Sequence, residues 1–280
     1  MSSRSKIGVS YLLGDSQNFN NHILPINSIE FDDVSNTLFT GGRDGCIKLW
    51  KYGQQLGNVV DDEDEFEFSS SNSDDEDIDV KVLKLEACIS CNSLPHTPVV
   101  NNDLSIVNHY NLHFDWINDI KLVNGNQNLV SCSSDLSIKI VNLATDQITR
   151  FPNHHTDYIR KLAYNPTHSP HQIASGGLDG KINIWDLTTL KSYHSINNTT
   201  NLSSTTSSIY SLANNANIIA TGGPSHTINL FDKRSHANPY ITKLIGHLDN
   251  IKCLLMNDKF ILSGSSDCSI KLWDLRTYKL

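Results

Sequence analysis

The sequence predicts an all-β chain assembled from five copies of one four-stranded unit, and three observations predict it. First, one pattern recurs five times: a Ser or Thr, small and turn-forming residues, then an alternating strand ending in a large apolar residue ten positions after the hydroxyl. Second, the later copies end at Val141, Trp185, Phe231 and Trp273, which are 44, 46 and 42 residues apart. Third, apolar and polar residues alternate between Gly- and Asp-rich turns, and no segment sustains helical periodicity.

The elements follow in order. Residues 1–21 form an N-terminal segment in which Lys6–Leu13, with Val9 and Tyr11, is a strand candidate without a repeat of its own. Residues 22–57 hold the first unit, with Thr40, Asp44 and Trp50 at the signature positions. Residues 58–97 are an insertion, and residues 98–152 return to finish unit one and supply unit two, with Ser131, Asp135 and Val141. Unit three occupies 153–196 (Ser175, Asp179, Trp185) and unit four 197–243 (Thr221, Ser225, Phe231). Unit five, 244–280, offers strands near Ile251–Met256, Phe260–Gly264 and Ile270–Trp273, and six residues after Asp274 are too few for a fourth. A period near 42 with four short strands per unit is the spacing of β-propeller blades. The ring either closes with five blades, Lys6–Leu13 completing the fifth, or stays open. The open arc is the expectation, because blades shaped for a wider ring would have to repack to close with five.

Composition narrows the function. The chain has 280 residues, 38% hydrophobic and 19% charged, enough for a sizeable core. No apolar run spans a membrane, and residues Met1–Lys6 do not open a signal peptide. Reduced cysteines and a cytoplasmic or nuclear location are therefore expected, with no membrane partner. Net charge is −8, but Asp61–Asp79 carries 11 acids and no base, leaving 19 acids against 22 bases elsewhere. A nearly neutral body without a basic face is not a nucleic-acid surface. The acidic stretch cannot offset its ordering entropy and reads as a disordered loop. Its Ser69, Ser70, Ser71 and Ser73 sit in the setting an acid-directed kinase prefers.

Several residues look catalytic. His155, Ser175 and Asp179 could be a nucleophilic triad, but the trio recurs as His22, Thr40 and Asp44; as His113, Ser131 and Asp135; and as His247, Ser263 and Asp267. A site built once per repeat is structural: indole, imidazole, hydroxyl and carboxylate satisfy one another and tie a loop to two strands. Trp50, Trp185 and Trp273 supply the indole. Val141 removes it from unit two, and unit four has Thr205 where the histidine belongs, so both networks should be weaker. Cys88 and Cys91 have metal spacing, but His96 is their only nearby partner and a structural zinc needs four ligands. No enzyme activity, cofactor or metal is expected.

Trp185-Asp186 and Trp273-Asp274, the near match Phe231-Asp232 and Gly246-His247 resemble the WD40-repeat family over nearly the whole chain. Further runs resemble one branch, the WD40-repeat cofactors that activate ubiquitin-specific proteases, in a fungal form. These are Val9-Ser-Tyr-Leu, Gly42-Arg-Asp-Gly, His113-Phe-Asp-Trp-Ile-Asn-Asp-Ile, Asp157-Tyr-Ile-Arg-Lys-Leu-Ala-Tyr, Ser208-Ile-Tyr-Ser-Leu-Ala and Gly246-His-Leu-Asp-Asn-Ile-Lys. The resemblance implies a propeller of seven or eight blades followed by further domains, of which this chain holds five blades, the last incomplete. It also implies a non-catalytic scaffold whose partner is a ubiquitin-specific protease, with ubiquitin itself a second candidate, and it places protease contact at Lys252.

The residues that would make such a contact flank the isoleucine opening each innermost strand: Trp116 and Asn118, Tyr158 and Arg160, Tyr210, and Asn250 and Lys252. Alternation buries the isoleucine and turns its neighbours to the channel mouth. Trp, Tyr and Arg dominate binding hot spots, though Trp116 and Tyr158 could instead pack between blades. The competing function is a general WD40 adaptor in a ubiquitin-ligase or chromatin complex.

Overall fold

The computed structural model describes residues 22–52, 104–198 and 207–279, and within them every regular element is a strand. The strand candidate Lys6–Leu13, the acidic stretch, the Cys88–Cys91 pair with His96, and Thr205 lie outside these residues.

Among the described residues, nineteen strands form five antiparallel meanders. Blade one is β1 (Ile26–Asp32), β2 (Thr37–Gly42), β3 (Cys46–Tyr52) and β4 (Leu104–Asn111). Blade two is β5 (Ile117–Val123), β6 (Asn128–Ser133), β7 (Ile138–Asn142) and β8 (Ile148–Arg150). Blade three is β9 (Ile159–Tyr164), β10 (Gln172–Gly177), β11 (Lys181–Asp186) and β12 (Ser192–Asn197). Blade four is β13 (Ser211–Asn214), β14 (Ile218–Gly222), β15 (Thr227–Asp232) and β16 (Tyr240–Ile245). Blade five has three strands, β17 (Ile251–Met256), β18 (Phe260–Ser265) and β19 (Ile270–Asp274).

The first strands pack in series, β1 on β5, β5 on β9, β9 on β13 and β13 on β17, so they are the innermost strands of an incomplete β-propeller. Its core is the set of four layers between consecutive blades. Phe39, Ile47 and Leu49 on the leading face of blade one meet Ile117, Ile120 and Leu129 of blade two. Blade two repeats this with Val130, Ile138 and Ile140 against Ile159, Leu162 and Ile173. Blades three and four do so with Ala174, Ile182 and Ile184, then Ala220, Ile228 and Leu230. The period-2 pattern produces this directly, since alternate residues point to opposite sheet faces and both must be covered.

The repeated glycine after the hydroxyl has a spatial cause. A methyl group at Gly41, Gly176 or Gly222 would lie 2.9, 2.8 or 2.6 Å from Cγ2 of Ile117, Ile209 or Ile251 of the next blade. At these three positions a residue without Cβ lets the isoleucine seat, whereas blade two has Cys132 there and still buries Ile159. Near the axis, buried Asp119 joins three innermost strands: it accepts from Ser28 Oγ at 2.8 Å and Leu162 N at 3.1 Å, with Lys161 Nζ at 3.6 Å. Burial pushes its carboxyl up, against the pull of Lys161.

Candidate functional site

At one end of the blades the loop entering each innermost strand meets the hairpin between the second and third strands. Three blades tie these together with all four network members. In blade one, His22 Nδ1 lies 2.9 Å from Asp44, Nε2 lies 2.8 Å from Thr40 Oγ1, and Trp50 Nε1 donates to the same hydroxyl at 2.8 Å. The corresponding distances are 3.0, 2.8 and 2.9 Å for His155, Asp179, Ser175 and Trp185. For His247, Asp267, Ser263 and Trp273 they are 2.8, 2.7 and 2.8 Å. A carboxylate only accepts, so Nδ1 carries the imidazole proton and Nε2 accepts from the hydroxyl. Each hydroxyl is buried and already receives the indole N–H, which leaves a substrate no path of attack.

Blade two lacks the indole, and Val141 packs into the layer facing blade one. His113 still reaches Asp135 at 2.9 Å and Ser131 at 2.8 Å. Ser137 adds a bond that the sequence reading overlooked: its hydroxyl donates to Asp135 at 2.6 Å. Burial alone would raise the Asp135 carboxyl, but the bonds from His113 and Ser137 outweigh it and hold it well below the usual range. Blade four builds a substitute from Asn198, whose Oδ1 accepts from Thr221 Oγ1 at 3.0 Å and Asn229 Nδ2 at 2.9 Å. An asparagine outside the repeat pattern gave no sequence signal.

These ties fix the rim. Carbonyls of Pro25, Trp116, Tyr158 and Asn250 accept, each at 2.9 Å, from backbone N–H groups of Arg43, Ser134, Leu178 and Ser266 in the hairpin turns. Blade four has Pro224 at the donor position, which carries no N–H. Ile117, Ile159, Ile209 and Ile251 are buried, and around them Trp116 is 41% and Tyr158 46% exposed, with Arg160 and Lys252 also exposed. Tyr210 and Asn250 are half-buried. Lys252 Nζ stands 4.9 Å from the Tyr210 ring centre, and Arg43 Cζ stands 4.3 Å from that of Trp116.

Asn118 corrects the sequence reading. It is 7% exposed, and its Nδ2 donates to Ser134 Oγ at 3.0 Å and to Ile159 O at 2.8 Å. It ties blade two to blade three, as Asn27 ties blade one to blade two by donating to Ile117 O at 2.9 Å. Alternation placed it correctly along the strand, but an amide short enough to reach the neighbouring carbonyl turns sideways. Sequence reasoning also missed Arg43 and the large apolar residue that follows three of the four signature histidines, His155 being followed by Thr156. Phe114 there is 99% exposed, and Ile23 and Leu248 are similarly exposed. The recurrence of a large apolar residue one position after the histidine was the available signal. Among the described residues no three metal-ligating side chains gather.

The family model for the WD domain, G-beta repeat, matches residues 15–51, 145–186 and 238–274. The chain carries WD40 repeats. The matched repeats contain Trp50, Trp185 and Trp273, in the blades whose networks hold an indole. The first three strands of blades two and four, where valine and the Asn198 substitute replace network members, fall outside the match. The WD40 repeat is also offset from the sheets: residues 145–186 contain β8 of blade two followed by β9, β10 and β11 of blade three. Residues 238–274 likewise join β16 of blade four to β17, β18 and β19 of blade five, so these two repeats each stitch one blade to the next. WD40 repeats serve as protein-binding scaffolds, and the exposed aromatic rim suits that role.

Proposed function

We propose that this chain is a non-catalytic scaffold that docks a ubiquitin-specific protease on the histidine-end rim and activates it. The observation carrying the docking face is the pair of cation–aromatic contacts, Arg43 over Trp116 and Lys252 over Tyr210, beside exposed Tyr158 and Arg160. Such stacks hold large side chains in place before binding, which lowers the ordering cost of association. The partner class rests on the sequence runs quoted above, and ubiquitin would join through the protease. Activation would be a coupling free energy, and about 1–3 kcal/mol gives a 5–150-fold effect. A cytoplasmic or nuclear location belongs to the same reading.

Affinity capture with mass spectrometry tests it. A ubiquitin-specific protease in the eluate supports the proposal; a cullin-type ligase or a histone complex instead would replace it with the adaptor reading. Lys252→Glu should then weaken protease binding at least tenfold in a titration while leaving the denaturation midpoint unchanged, since Lys252 is exposed and its charge faces the partner. Unchanged affinity with an intact fold would move the interface off this face.

A further inference from the structure

The side chain opposite the network hydroxyl differs among the blades. Register places Lys48, Lys139 and Lys271 opposite Thr40, Ser131 and Ser263, but Asn183 opposite Ser175 and Asn229 opposite Thr221. In blade two the lysine is a tie: Lys139 Nζ donates to the carbonyl of Leu112, the residue before His113. In blade four Asn229 Nδ2 donates to Asn198 Oδ1 at 2.9 Å. Blade three has no such partner. His155 stands where blade four has Asn198, and its ring nitrogens are already bound to Asp179 and Ser175.

Asn183 is nonetheless fully buried, and among the described residues neither its Nδ2 nor its Oδ1 has a hydrogen-bond partner. A buried primary amide is costly unless it is bonded, and in folded proteins its partner is protein or ordered water. Alternation puts Asn183 on the same face of β11 as Trp185, and the His154 ring meets the Trp185 indole edge-on at 5.2 Å. His154 precedes His155 as Leu112 precedes His113, so its carbonyl is the blade-three counterpart of the one that Lys139 reaches. No hydrogen bond from the described residues reaches that carbonyl. Asparagine falls short of lysine there by about the width of one water molecule.

We propose that blade three is built around an internal water site formed by the Asn183 amide and the His154 carbonyl. The water accepts from Nδ2, donates one proton to Oδ1 and gives the other to the carbonyl, the usual complement of about three hydrogen bonds for an internal water. It takes the part that a lysine ammonium plays in blade two, without burying a charge. It fastens the loop between β8 and β9, which carries Tyr158, to β11. The site is internal to blade three and does not depend on which protein docks on the rim.

Crystal structures of the full chain and of two variants test this. The wild type should show a water about 3 Å from both amide atoms of Asn183 and from the His154 oxygen. Asn183→Leu keeps the branched shape without the polar atoms and should lose that water. Asn183→Lys should also lose it and place Nζ on the His154 carbonyl, as Lys139 does on that of Leu112. The wild-type and leucine structures decide the matter even if the lysine variant does not fold. A wild-type amide bonded to a protein group or to nothing, or a water that stays in place in either variant, would each overturn the proposal.

Discussion

Asp135 and Asp179 show how residue-level detail revises a pattern. The sequence ranks the blade-two network as weaker because Val141 replaces the indole. In the structure Asp135 accepts from the Ser137 hydroxyl as well as from His113, while Asp179 accepts from His155, Thr156 N and Lys181 N. Asp135→Ala and Asp179→Ala should therefore cost similar amounts, about 1–3 kcal/mol each. Ser137→Ala should cost about 1 kcal/mol. Chemical denaturation of the three variants checks this, and an Asp135 change with no effect would mean that the blade-two network carries no stability. The same groups set an acid limit. Burial lowers the His113 imidazole below 6.5, so the folded chain keeps it neutral while the unfolded chain takes a proton. Stability is present above 6.5 and is lost as pH falls below it. Asp135 and Asp179, held below 3.8 by their hydrogen bonds despite burial, add a second loss below 3.8. A titration of the denaturation midpoint should show both windows. His113→Asn should be less stable throughout and should shrink the upper one; an unchanged upper window would assign it to another group.

Between elements, the seat of an isoleucine on a glycine governs how closely blades approach. Gly176→Ala would drive a methyl into Ile209 and should cost about 1–3 kcal/mol through overpacking. Gly264→Ala meets, among the described residues, only the movable end of Cys253 and should cost much less. Thermal melts of the two variants compare them directly, and equal losses would show that the glycines serve the backbone instead of the layer. The hydroxyl-glycine pair was visible in the sequence as a motif. Its purpose was not, because the atom it accommodates lies in the next repeat and only the blade-to-blade register brings it there.

Across the whole molecule, what was legible is what repeats. Period, alternation and turn residues gave the five sheets, and the three strands of blade five fall where the sequence reading put them. What was illegible depends on one-off contacts. Asn198 replaces a histidine network from outside the motif, and Asn118 turns from the rim into the blade interface. At the rim the sequence supplied aromatic residues and charges separately, and folding pairs Arg43 with Trp116 across two blades.

The last strand of blade one comes from far along the chain. Residues 53–103 separate β3 from β4, yet the two pair without interruption from Tyr52 and Leu104 to Cys46 and Asn111, apart from a bulge near Trp50. Closure entropy grows only with the logarithm of length, so joining across this span costs about 2 kcal/mol more than a tight hairpin. A sheet ladder can outweigh that, which makes the covalent connection itself dispensable. The chain should work as a split protein: two polypeptides divided between Asp75 and Glu76, expressed separately, should recombine through β3 and β4 and co-elute one to one. Fragments that fail to meet would show that blade one needs its tether.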